Sequence, residues 1–120
     1  ASHFKHRQAA RSTWAKHLSA SNSKLVFIIG NPAYNSENGE NSDFNASDKS
    51  KLNLEIKNNR DIVQVNMADH ENYTSTKSLI AIRWALTYCS FSKNIFIISD
   101  SVILNHQKFN QFAKKQSTKL

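Results

Sequence analysis

Cysteine is nearly absent from this 120-residue sequence: Cys89 stands alone, which excludes an internal disulfide framework and a Cys-based zinc site. With only 2 Gly and 1 Pro, collagen-like, Gly/Ser-linker and Pro-rich classes are excluded as well. Long hydrophobic runs are also missing. The longest, Leu25 to Ile29, falls far short of the roughly 20 apolar residues a membrane-spanning helix needs, and no signal-peptide pattern opens the chain, so the chain as given is expected to be soluble. No G-x-G-x-x-G, Walker loop, G-x-S-x-G or H-E-x-x-H occurs, which leaves dinucleotide, P-loop, hydrolase-elbow and metalloprotease readings unsupported.

Acidic side chains are scarce too, 9 against 16 basic, for a net charge of +7. The imbalance is local. Residues 1–24 carry five basic and no acidic groups, residues 25–71 four and eight, and residues 72–120 seven and one. Basic ends around an acidic middle favour anionic partners such as phosphates, nucleotides, nucleic acids or acidic membranes, or make a solvated basic surface. The five histidines (His3, His6, His17, His70 and His106) are scattered; only His3 and His6 share a helical face, and all five read as surface residues.

At 13.6 kDa the length suits one domain able to bury a core without cross-links. The hydrophobic pattern alternates between helix and strand periods. Lys5 to Leu18, with Arg7, Arg11, Trp14 and Leu18 three or four apart, predicts a helix. Lys24 to Gly30 predicts a buried strand. Residues 31–48, rich in Asn, Ser and acids, predict a long exposed loop. Lys51 to Asn58 fits a short helix or a strand and is taken as helix. Asp61 to Val65 predicts a second strand, and Thr74 to Tyr88 a helix with a broad apolar face. Asn94 to Ile98 predicts a third strand, and Asn105 can cap a last helix carrying Phe109 and Phe112. This order is the signature of an α/β fold with a mostly parallel three-stranded core and covering helices. Such folds bind ligands at the C-terminal ends of their strands, here residues 30–34, 66–76 and 99–105.

Residue order along the chain resembles glycosyltransferase family 31, the β-1,3-galactosyltransferase and β-1,3-N-acetylglucosaminyltransferase group. Arg7 to Trp14 is similar to its R-x-x-I-R-x-T-W opening, and Phe27 to Gly30 to its F-x-x-G strand. Leu54-Glu55, Asp61-Ile62 and Asp69 followed by Lys77 resemble its L-x-x-E, D-I and D-S-Y-x-N-L-T-x-K-T stretches, and Trp84 with Cys89 its W-x-x-x-x-C helix. The resemblance covers essentially residues 7–112. Ser99-Asp100-Ser101, followed by Val102 to Asn105, takes the place of its D-D-D-x-F-x-N motif, so the two outer carboxylates are replaced by serines.

The resemblance implies the donor-side half of a GT-A, Rossmann-like nucleotide-sugar-binding domain over residues 1–120. It implies inverting transfer of a hexose or N-acetylhexosamine from a UDP-sugar to a glycan or glycoprotein acceptor. Arg7, Arg11, Asp69, Lys77 and Asp100 would then face the donor, with Asp100 as the metal ligand. Mn²⁺ is the implied cofactor, expected to bind weakly or not at all because serine hydroxyls are neutral, monodentate donors. The general base would lie beyond Leu120, as would the disulfide partner of Cys89. A Golgi location is implied, with type II anchoring through a segment absent from this chain. The sequons Asn45-Ala-Ser47 and Asn72-Tyr-Thr74 fit that route. Two other readings stay open: an inactive or fragmentary relative acting as a binding module, and a basic nucleic-acid-binding α/β domain, against which the lack of an aromatic and basic recognition motif argues.

Overall fold

The computed structural model describes residues 3–32 and 46–117. In chain order the elements are α1 (Phe4–Ser12), two short 3₁₀ turns (Ala15–His17 and Ser19–Ser21), β1 (Phe27–Ile29), α2 (Ala46–Asn59), β2 (Ile62–Gln64), a 3₁₀ turn (Glu71–Tyr73), α3 (Thr74–Tyr88) and α4 (His106–Ser117). Residues 33–45 of the expected loop, and with them the Asn45 sequon, lie outside the described residues. Residues 46–48 of that loop belong to α2, which therefore starts before the expected Lys51. The chain divides into two compact units, Ala1–Phe4 with Val26–Ala81, and Lys5–Leu25 with Ile82–Leu120.

The first unit is built on β1 and β2, which pair in parallel with Phe27 opposite Ile62, Ile28 opposite Val63 and Ile29 opposite Gln64. Parallel neighbours need a crossover, and the segment that contains α2 provides it. The hydrogen bonding extends past both ends of the strands. Phe27 N donates to Asp61 O at 2.8 Å, Val65 N to Ile29 O at 2.8 Å and Asn31 N to Met67 O at 2.7 Å. Phe27 and Ile29, two apart, bury the same strand face, while Val65 and Leu52 are the other buried apolar side chains among the described residues of this unit. On α2, Leu52 and Glu55 are buried, whereas Leu54 is 59% exposed. Of the two leucines before Glu55 in the L-x-x-E stretch, the one buried with it is thus Leu52, three positions earlier, and not the adjacent Leu54. Arg60 ends α2 in the left-handed conformation (φ 53°), its N–H donating to Ile56 O at 3.1 Å.

In the second unit α1 stops at Ser12, short of the Leu18 that the periodicity predicts. The cause is competition for carbonyls. Thr13 N donates to both Ala9 O (3.1 Å) and Ala10 O (3.4 Å), while Thr13 Oγ1 and Ser12 Oγ also donate to Ala9 O, at 2.6 and 3.1 Å. The chain tightens into 3₁₀ turns there, but the face is kept: Arg7, Ala10, Trp14 and Leu18 are all buried. Asn105 caps α4 as expected, its Oδ1 accepting from Lys108 N at 3.0 Å.

Among the described residues the expected three-stranded core is not shown. Residues 94–98 make no ladder, and the sheet has two strands. Apolar side chains make a segment eligible for a strand, but only a backbone partner makes it one. The run does make ring contacts, Phe96 meeting Phe109 edge-on with centroids 4.8 Å apart and Phe112 at 6.0 Å. Ile95, Ile97 and Ile98 stay exposed. The broad apolar face expected of α3 is only partly covered: Ile80 and Trp84 are half-buried, Leu79 and Leu86 are exposed, and no α3 residue is fully buried. Trp84 and Phe109, both expected in the core, are half-buried.

Candidate functional site

The C-terminal ends of β1 and β2 carry the best-defined polar geometry of the first unit. Gly30 follows β1 directly, and a Cβ on it would lie 2.6 Å from Asp69 Cα and 2.7 Å from Asp69 N. Only glycine lets the two backbones meet this closely. The crossing after β2 is thereby pressed against the end of β1, with the Asn31 to Met67 hydrogen bond beside it. The described part of the expected ligand region 30–34, residues 30–32, adjoins a second such region, 66–76, here.

Asp69 in turn receives a hydrogen bond from Lys77 Nζ at 2.9 Å, the two side chains being only 16% and 20% exposed. Lys77 lies in the first turn of α3, where the helix dipole disfavours a cation. Asp69 supplies the compensating negative charge, so the pair is matched within the protein. The entry to α3 is fixed locally: His70 Nδ1 accepts from Asn72 N at 3.2 Å, and Thr74 Oγ1 donates to Glu71 O at 2.6 Å.

The remaining predicted residues belong to the second unit. Arg7 is buried at 2% exposure and Arg11 half-buried, both on α1. A buried guanidinium needs partners, and Arg7 has them. Asp100 is half-buried at the tip of a turn closed by Val102 N donating to Ser99 O at 3.2 Å. Its neighbours bond to one another, with Ser99 Oγ 2.8 Å from Ser101 Oγ, and Ser101 N donating to Ser99 Oγ at 3.3 Å. Two carboxylates would repel at that separation, but one hydroxyl donates a hydrogen bond to the other there. These residues do not fit Mn²⁺: one carboxylate, flanked by hydroxyls already bonded to each other, is a poor shell for a hard ion that wants several oxygen ligands.

Two pairings escape sequence reasoning. A ring nitrogen of His6 and a carboxylate oxygen of Asp100 lie within 4.8 Å. His17 and His106 stack with ring centroids 4.2 Å apart and planes 16° from parallel. Both join residues about 90 positions apart that no local pattern relates.

The order of motifs along the chain has a counterpart in a known family. The family model described as galactosyltransferase matches residues 5–119. The chain belongs to the galactosyltransferase family. No curated protein and no solved structure matches it significantly. Membership makes this galactosyltransferase-family chain glycosyltransferase-like, in a family whose members in general use a nucleotide-sugar donor and a glycan acceptor. Among its described residues no helix is long and apolar enough to cross a membrane.

Proposed function

We propose that this chain is the donor side of a GT-A glycosyltransferase domain that binds UDP-sugar, serving transfer of a hexose or N-acetylhexosamine to a glycan or glycoprotein acceptor in the Golgi. The observation that carries the reading is the strand-end arrangement in which Gly30 admits Asp69 and Asp69 holds Lys77 at the start of α3. Helix starts beside parallel strand ends are where α/β folds receive nucleotides. Lys77 offers a cation to a diphosphate, and Asp69 offers carboxylate oxygens to ribose hydroxyls while keeping that ammonium oriented. Arg7 and Arg11 keep the donor-side roles implied by their place in the family's opening motif, and Asp100 that of the carboxylate nearest the donor. In a GT-A domain residues 94–98 would add the third parallel strand. No residue of this chain is assigned as general base.

The second reading, a relative that binds a nucleotide sugar without transferring it, is favoured by the hydrogen-bonded serines at 99 and 101. Calorimetric titration of UDP with and without Mn²⁺ tests both. Weak binding that ignores Mn²⁺ is expected. Tight, Mn²⁺-dependent binding would restore a hard-metal role for residues 99–101, whereas salt-sensitive binding of DNA or RNA without UDP affinity would sink the donor-side reading.

A further inference from the structure

The surroundings of Asp100 suit a different class of ion from the Mn²⁺ that the family resemblance implies. On its own turn the flanking donors are neutral and engaged, Ser99 Oγ with Ser101 Oγ at 2.8 Å. Within the same compact unit, His6 on α1 brings a ring nitrogen to within 4.8 Å of an Asp100 carboxylate oxygen. Imidazole with carboxylate is a donor set taken by borderline transition ions, whereas Mg²⁺ and Mn²⁺ prefer oxygen alone. Zinc takes His nitrogen and Asp oxygen at about 2.0–2.2 Å, which at a tetrahedral angle puts the two donors roughly 3.4 Å apart. His6 is exposed on α1, so a bound ion would have to draw the two donors together by little more than about 1 Å.

We propose that His6 and Asp100 are the protein ligands of a site for a Zn²⁺-class divalent ion, completed by water or by phosphate oxygens. The site rests on the donor-side reading for the phosphate only, since the pair itself is a property of the second unit. Replacing the outer acids of the family motif with serines then changes the kind of metal the turn can hold, the nitrogen ligand coming from the other end of the chain.

Zn²⁺ and Mn²⁺ titrated separately into the full chain without nucleotide test this. Calorimetry should give Zn²⁺ an affinity at least about tenfold above that of Mn²⁺. His6→Ala and Asp100→Asn should each weaken Zn²⁺ by about tenfold or more with unchanged circular dichroism. His17→Ala, which breaks the separate His17 and His106 stack, should leave it intact. In the wild-type chain Zn²⁺ should move the ring resonances of His6. Mn²⁺ binding as tightly as Zn²⁺, a His6 resonance that stays still, or Zn²⁺ affinity lost with His17 rather than with His6 would each overturn the site. Because no nucleotide is present, a failure to bind UDP leaves this result standing, and a failure to bind Zn²⁺ leaves the UDP reading standing.

Discussion

The backbone of Asp69 fills the space that a side chain on Gly30 would need, its Cα lying 2.6 Å from where a Cβ would be. The obstacle is main chain, so it cannot swing aside as a flexible side chain would. Gly30→Ala is therefore expected to destabilise the protein by about 1–3 kcal/mol, the usual range for overpacking. Relief requires Asp69 to move, which also disturbs its bond to Lys77, so UDP affinity should fall in the same variant. Urea denaturation with calorimetry checks both, and an unchanged midpoint would show that the strand ends are free to separate.

Asp69 and Lys77 are the next point of attack. Each side chain is at most 20% exposed, so their 2.9 Å contact is better shielded than a surface ion pair. A double-mutant cycle with Asp69→Asn and Lys77→Met should return a coupling of about 1–2 kcal/mol. Asp69→Asn should keep much of the UDP affinity through the remaining ammonium, while Lys77→Met should lose most of it. Equal losses of UDP affinity in both variants would mark the pair as structural rather than ligand-facing.

What the sequence reveals of this pair, and what it hides elsewhere, follows from the range of the forces involved. The Asp69 and Lys77 stretch and the Asn105 cap are legible because each depends on neighbours a few residues away, and the two short strands because their runs are rich in β-branched and aromatic residues, although their pairing joins positions 35 apart. The early end of α1 is not, because Ala9 O is shared among Thr13 N, Thr13 Oγ1 and Ser12 Oγ, a competition that apolar periodicity does not register. Residues 94–98 have the composition of a strand, but strand formation belongs to a pair of segments. His6 and Asp100, 94 positions apart, meet only through folding, and no spacing rule finds them.

Arg60 gives a prediction independent of function. It holds φ at 53°, a region that costs a residue with a Cβ about 1–2 kcal/mol and glycine far less. Arg60→Gly should keep the bond from its N–H to Ile56 O and stabilise the protein by about 0.5–1 kcal/mol, after allowing for glycine's larger unfolded-state entropy. An upward shift in the urea midpoint at constant slope is expected. A downward shift would mean that the arginine side chain contributes more than its backbone costs.

The serines beside Asp100 permit a reversal experiment. Ser99 and Ser101 close their turn with a 2.8 Å hydrogen bond, a geometry that needs no cation. In the double variant Ser99→Asp and Ser101→Asp, three carboxylates share one short turn, and their repulsion should lower the melting temperature when no metal is present. Added Mn²⁺ should then raise it, because an ion that binds only the folded state stabilises by mass action. The wild-type chain should show little Mn²⁺ response. Thermal melts of both proteins with and without Mn²⁺ decide the matter: a double variant that melts like the wild type under all four conditions would mean that the turn is open enough to keep the charges apart, and that its serines do not set the metal preference.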